Sequence, residues 1–205
     1  MQDDLLPLFP LALVLLPGAD LPLHIFEERY KEMIGRVLAN GAEFGVVLAV
    51  KDGIARTGCT ASVDRVLQRY EDGRMDILTS GRRRFTIESV NQDKDYLRGE
   101  VSFFDDRDVA VPPELRQQAL RVCSALAGSE DADPETQQLS FRLAASIRDL
   151  DFKQSMLNLR SESERLKLLI QFVPGYADRM KTAAHMQEVA PRNGHGKLPR
   201  SVDPS

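Results

Sequence analysis

Apolar positions run almost unbroken from Leu5 to Tyr30, yet Pro7, Pro10, Pro17 and Pro22 cut through them. Proline fixes φ and carries no backbone donor, so this stretch cannot be one long helix. A central strand throughout is equally excluded, because a sheet interior needs that donor. The pattern predicts a short buried strand at Leu11–Leu15, a tight turn at Pro17-Gly18 and an extended piece at Leu21–Leu23. A helix follows from Phe26, since Phe26, Tyr30, Met33, Ile34, Val37 and Leu38 recur at helical spacing. Asn40-Gly41 ends it, glycine supplying the left-handed C-terminal turn.

Strand patterns dominate the next sixty or so positions. Phe44–Val50 is a continuous apolar run suited to a buried strand, and Lys51-Asp52-Gly53 is a turn. Thr57–Tyr70 is long and mixed, with Cys59, Ala61, Val63 and Leu67 able to share a face. Glu71-Asp72-Gly73 reads as a hairpin turn. Met75, Ile77 and Thr79 alternate with polar or outward positions, Gly81 breaks the pattern, and Phe85, Ile87 and Ser89 resume it. Asn91–Asp95 is a polar loop, and Leu97, Val101 and Phe103 form one face of a last strand. Short strands with turn signals about ten residues apart suggest a barrel or a sandwich.

After Phe104 the period changes. Asp105-Asp106-Arg107-Asp108 is a charged link. Pro112-Pro113 opens a helix whose face is Leu115, Ala119, Val122, Cys123 and Leu126, stopped by Gly128. Pro134 opens a second, with Leu139, Leu143, Ile147 and Leu150 inward. Phe152–Leu159 is a short third helix. Ser161-x-x-Glu164 is a capping box and starts a fourth, with Leu166, Leu169, Ile170 and Val173 inward and a stop at Pro174-Gly175. Tyr176–Val189 is a last, weaker helix, and residues 190–205 have the composition of a flexible tail. Strands first and helices second is an α+β signature. The chain divides into a β-rich part (1–108), an α-helical part (109–189) and the tail.

The opening L-P-L-F-P-L-x-x-V-L-L-P-G, followed by L-P-L-x-I-F-E-x-R-Y, closely resembles the start of the Lon N-terminal domain family, residue by residue over Leu6–Tyr30. Gly81 with Arg84-Phe85-Thr86-Ile87 is similar to that family's G-x-x-R-F-x-I strand. The resemblance extends less distinctively to about Val173. It implies a PUA-like, partly closed β-barrel with one early helix, followed by a C-terminal helical bundle. It also implies the substrate-binding part of an ATP-dependent protease, a domain that occurs alone in small bacterial proteins.

Composition narrows the function classes. The chain has 205 residues, 42% hydrophobic, with net charge −4 and a pI near 5.5. That suits a full core and argues against a protein built mainly to hold nucleic acid. The opening apolar run has no preceding Lys or Arg and is too proline-broken to cross a bilayer, so a cytoplasmic protein with no membrane role is expected. Cys59 and Cys123 read as buried free thiols in that setting.

Candidate chemistry is sparse. No G-x-x-x-x-G-K-[ST] stretch wraps phosphates; Gly194-His-Gly196-Lys197 lacks the first glycine and the hydroxyl. The chain is also too short for a peptidase module, so neither ATP hydrolysis nor proteolysis is expected. His24, His185 and His195 are scattered, and no cysteine pair has ligand spacing, so no metal or cofactor is expected. His24 could be a general base, but no nucleophile motif accompanies it, and a hydrogen-bonded structural histidine is the simpler reading. Glu27 and Glu28 complement a helix N-terminus, with Arg29 paired to a neighbouring acid.

Two surfaces remain as binding candidates. Arg82-Arg83-Arg84 is the basic cluster of the chain, and on a strand Arg82 and Arg84 share a face. They would be the contacts of an RNA-binding PUA-like module, against the alternative of a solvated face paired with Asp76, Glu88 or Glu100. A groove between barrel and bundle, lined by Leu16, Leu21 and Phe104, would take unfolded or specific polypeptide, including a protease or chaperone partner. The reading is a non-catalytic polypeptide-binding module, with the RNA module or a small-molecule sensor in the interdomain cleft as alternatives.

Overall fold

The computed structural model describes residues 5–107, 110–124, 126 and 132–189. Seven strands and one helix come first: β1 Leu6–Leu11, β2 Asp20–Ile25, α1 Glu28–Asn40, β3 Phe44–Val50, β4 Gly53–Ile54, β5 Thr57–Arg69, β6 Met75–Asn91 and β7 Arg98–Phe103. Pairing runs β1-β7-β6-β5-β3, and β3 returns to β1 in parallel. The seam between β1 and β7 is only Leu6↔Gly99 and Pro7↔Arg98, so the sheet curls into a partly closed barrel rather than a closed one. Leu8, Val47, Phe85 and Ile87 form a small cluster of their own, separate from the main core.

The first strand lies at Leu6–Leu11, not at the expected Leu11–Leu15, and it contains Pro7 and Pro10. Register explains the tolerance. The Leu8 N–H donates to Leu97 O on the β7 side, 2.8 Å away. Alternation puts Pro10 on that same side, after the β7 pairing has ended. Pro7 faces the β3 side, before that pairing begins at Leu8. Each missing donor therefore falls where the ladder has no acceptor to fill. Pro22 sits in β2, which pairs β6 on one side alone.

Gly81 does not end a strand; β6 runs through it for 17 residues. It marks a change of partner. Residues before it pair with β2, and residues from Phe85 onward pair with β7. At the handover the chain from Leu16 to Ala19 crosses β6. The Gly18 N–H donates to Gly81 O and the Gly81 N–H to Ala19 O, both at 2.9 Å. A Cβ on Gly81 would lie 2.2 Å from Leu16 O, so only glycine admits this crossing.

The helices are α2 Pro113–Cys123, α3 Leu139–Ala144, α4 Leu150–Asn158 and α5 Glu162–Val189. Two expectations are corrected. The helix expected from Pro134 through Leu150 splits, because the Asp149 carboxylate accepts the Phe152 N–H and caps a new helix at Leu150. The expected stop at Pro174-Gly175 does not occur, and α5 continues to Val189. Packing on both sides of the proline offsets the lost bond. Val173 and Tyr176 are buried. Phe172 stacks on Phe152 and on Tyr176, and the Tyr176 hydroxyl accepts the Arg148 N–H. The start of α5 is as expected, Ser161 Oγ accepting the Glu164 N–H at 3.1 Å. The expected stop at Gly128 and the tail at 190–205 lie outside the described residues.

One hydrophobic core spans both parts. Met33 and Ile34 of α1, Ile77 of β6, Leu139 and Phe141 of α3, and Leu166 and Leu169 of α5 all belong to it and are buried. Full burial of each such side chain contributes about 1.5–3 kcal/mol. The helices thus share a core with the sheet rather than forming a second one.

Candidate functional site

An exposed aromatic surface forms where β2 ends. In register, His24 lies opposite Asp76. The His24 Nδ1–H donates to Asp76 Oδ1 at 2.6 Å, and the Tyr70 hydroxyl donates to Asp76 Oδ2 at 2.8 Å. Those two bonds, His24 first, hold the Asp76 carboxyl below its ordinary range. Phe26 stacks on His24 at 5.9 Å between centroids, and Tyr70 meets the same ring edge-on at 6.0 Å. The Arg74 guanidinium lies 5.0 Å from the Tyr70 ring. Phe26 is 59% exposed. It was expected on the inner face of α1, but that helix begins at Glu28 and leaves Phe26 in the preceding turn. The arrangement offers π-faces and one oriented carboxylate. Arg29 pairs with Glu27 at 2.6 Å beside it.

The three consecutive arginines go three ways. Arg82 donates to Ser62 Oγ and to Asp64, at 2.7 and 3.1 Å. Arg83 lies over the exposed Phe103 ring at 4.4 Å. Arg84 is buried. The β5–β6 register slips between Cys59 and Ala61, which breaks the alternation that would have put Arg82 and Arg84 on one face. Arg84 enters a buried charge cluster between the barrel and the helices. It donates to Asp106 Oδ1 at 2.6 Å and to the carbonyls of Leu157 and Leu159. Arg165 donates to both Asp106 oxygens, to Glu162 and to Ser140. Ser140 in turn donates its N–H and hydroxyl to Glu162. Two cations thus meet two carboxylates, with Phe141 under both guanidinium groups. Burial alone would push the Asp106 carboxyl up, but the bonds and charges of Arg165 and Arg84 hold it below its ordinary range. The sequence showed Asp105-Asp106 as a charged link and gave no sign that Asp106 joins two buried arginines.

A cleft of about 580 Å³ opens between the Leu13–Leu21 loop and helices α3 and α4. Leu16 and Leu21 belong to its wall, though both side chains are buried. Phe104 lies elsewhere, buried with Arg84 and Arg160 against its ring at 4.8 and 4.3 Å. The sequence-based groove residues therefore fall in two places. Arg142 and Lys153 on the helical wall, and the exposed Phe26–Tyr70 surface, escaped sequence reading; register and helix ends decide them.

Other reactive groups serve the fold. Cys59 and Cys123 are free and buried, and burial pushes their thiols up to about 12 and about 11. Among the described residues, no three His, Cys, Asp or Glu side chains gather as metal ligands would. No helix among them is long and apolar enough to cross a membrane.

Residues 5–174 match the ATP-dependent protease La (LON) substrate-binding domain. The chain belongs to the Lon substrate-binding domain family. Its fold is similar to the crystal structure of a Lon N-terminal domain protein from Xanthomonas campestris, with a TM-score of 0.70, 29% identity, and coverage of 83% of this chain and 99% of that one. It also resembles the N-terminal domain of a Mycobacterium avium complex Lon protease, with a TM-score of 0.63 and 18% identity over 83% of this chain and 98% of the other. The Lon protease of Flavobacterium johnsoniae is 30% identical over 105 residues, which is 47% of this chain and 13% of that protein. The Lon protease of Parabacteroides distasonis is 29% identical over 112 residues, 50% and 14% of the respective lengths. The Lon-family match thus spans a small fraction of those curated proteases. As a member of this family the chain is a substrate-binding module.

Proposed function

We propose that this Lon-family domain binds polypeptide without catalysing a reaction, in the cytoplasm, and that the Phe26–His24–Tyr70 surface is a contact. The exposed Phe26 ring, stacked on His24 beside an edge strand, is the observation that carries this reading. Large aromatic side chains contribute much contact area at low entropic cost, and such clusters serve as anchors for partner chains. The strand β2 pairs on one side alone, which leaves an edge against which an extended segment can lie. A non-catalytic role is supported by the thiols, both buried and raised away from the reactive thiolate. A protease or chaperone fits as a partner, and so does an unfolded chain awaiting one. The β-rich part (1–108) and the helical part (109–189) act together in this reading, because they share a core.

Titration against a labelled, permanently unfolded polypeptide at low and high salt tests it. Saturable binding that survives salt and falls about tenfold in Phe26→Ser supports the proposal. Binding that vanishes with salt, or that ignores Phe26→Ser, overturns it and turns attention to RNA, with Arg82→Glu as the next variant.

A further inference from the structure

The cleft between the Leu13–Leu21 loop and helices α3 and α4 shares no residue with the Phe26–Tyr70 surface. Its volume of about 580 Å³ lies within the range of small-ligand sites, about 300–1,000 Å³. One wall is largely apolar, from the loop. The other carries Arg142 and Lys153. Neither cation has a carboxylate partner among the described residues, whereas the buried arginines Arg84 and Arg165 both do. Lys153 donates to Ala145 O at 2.8 Å, which leaves two of its three ammonium donors for a ligand. Burial pushes its amine down, and no neighbouring acid offsets that cost. One acid, Asp20, lies on the loop wall, so the cleft has a net excess of one positive charge. Gln138, also in the lining, adopts φ 56°, ψ 44°. It is the sole non-glycine residue with positive φ among the described residues. L side chains rarely adopt that conformation, and this strain lies in the lining of the cleft rather than in a remote turn.

We propose that this cleft binds a carboxylate carried on a small apolar body, with Arg142 and Lys153 as its anion contacts. The apolar wall takes the body and the cations take the charge. Charge-assisted bonds of this kind are the stronger hydrogen bonds of proteins. Two sources share the chemistry, the C-terminus of a polypeptide and a free organic acid. The inference stands apart from the proposed polypeptide contact at Phe26.

The test uses fluorescence anisotropy on the whole chain. The probes are an N-terminally labelled hexapeptide ending Leu-Leu with a free carboxylate, and the same peptide as its C-terminal amide. The free acid is expected to bind saturably and the amide at least about tenfold more weakly. Arg142→Gln and Lys153→Gln are each expected to weaken the acid about five- to tenfold and leave the amide unchanged. Arg142 is exposed, so its variant keeps the test valid where Lys153→Gln perturbs the fold. Phe26→Ser should leave both peptides unaffected, which separates this site from the other surface. A small acid without a peptide bond, 4-methylpentanoate, that competes as well as the unlabelled hexapeptide acid assigns the site to small acids, and competition at least about tenfold weaker assigns it to polypeptide C-termini; both uphold the carboxylate. Equal binding of acid and amide, no binding of either, or an Arg142→Gln variant that binds like the parent overturns the proposal.

Discussion

Asp106 and Asp76 each accept two side-chain partners at similar distances, yet they sit in opposite surroundings. Asp106 joins Arg84 and Arg165 between the barrel and the helices, with both arginine side chains almost wholly enclosed. Asp76 joins His24 and Tyr70 at the surface, where the His24 side chain is 45% exposed. Similar hydrogen-bond geometry therefore has two consequences. In the enclosed cluster each charge has been taken out of water, and loss of one partner leaves the others stranded. At the surface water replaces whatever is removed. The first cluster holds the fold, and the second is available to a partner.

Asp106→Ala is the strongest test of that contrast. It leaves Arg84 enclosed without its ion-pair partner and Arg165 with Glu162 alone. Breaking a buried pair costs about 3–5 kcal/mol, so the urea midpoint should fall by a large fraction of the total stability. Asp76→Ala should leave the midpoint within error of the parent. Equal losses in the two variants would erase the distinction. Arg84→Met is the milder enclosed variant, since Asp106 keeps Arg165 and an apolar chain fills the space. A loss of about 1–3 kcal/mol is expected from the freed Leu157 carbonyl, since Leu159 O keeps its bond from Arg165.

The two carboxyls should also differ in their response to pH and salt. Both are held below the usual carboxylate value of about 3.9. A depressed folded-state pKa means that the stabilisation is present above the unfolded value. It is then lost as pH falls through the folded value. Stability due to Asp106 should therefore be intact above about pH 4 and decline below it. Asp106→Asn should show a flatter acid limb. Raising the salt to 1 M shortens the screening length to about 3 Å. In carboxyl NMR titrations, the coulombic part of the Asp76 depression should shrink with added salt, and Asp106 should move much less.

The contrast also explains what was legible in the sequence. The opening motif and the period change after Phe104 carried the α+β order, because both depend on local pattern. The buried face Tyr30, Met33, Ile34 and Val37 was readable for the same reason. Arg84 was not, because a slip in register between β5 and β6 turned it inward while leaving Arg82 outside. Phe26 was missed because the helix starts two residues later than the apolar spacing implied. The first strand was misplaced because proline's cost depends on which neighbour each residue faces, and a single sequence does not show that neighbour. Continuation of α5 past Pro174 had the same origin, in aromatic packing contributed by α4. Leu16 and Leu21 were expected to present their side chains to a groove; they line the cleft, but both side chains are buried.

Phe26→Ser is the smallest perturbation of stability and the sharpest test of the surface cluster. Phe26 is mostly exposed, and its stacking contact is with the half-exposed His24, 5.9 Å between centroids. Surface substitutions of this kind usually change stability by no more than about 0.5 kcal/mol. The same ring can become fully buried when a partner chain covers it, and that gain exists only in the complex. Phe26→Ser should therefore leave the urea midpoint in place and weaken unfolded-polypeptide binding about tenfold. Tyr70→Phe keeps the ring and removes its bond to Asp76, so binding should weaken less. If Phe26→Ser instead destabilised the domain as Asp106→Ala does, the aromatic cluster would be part of the fold's support, and the distinction between the enclosed and exposed carboxylates would fail at its exposed end.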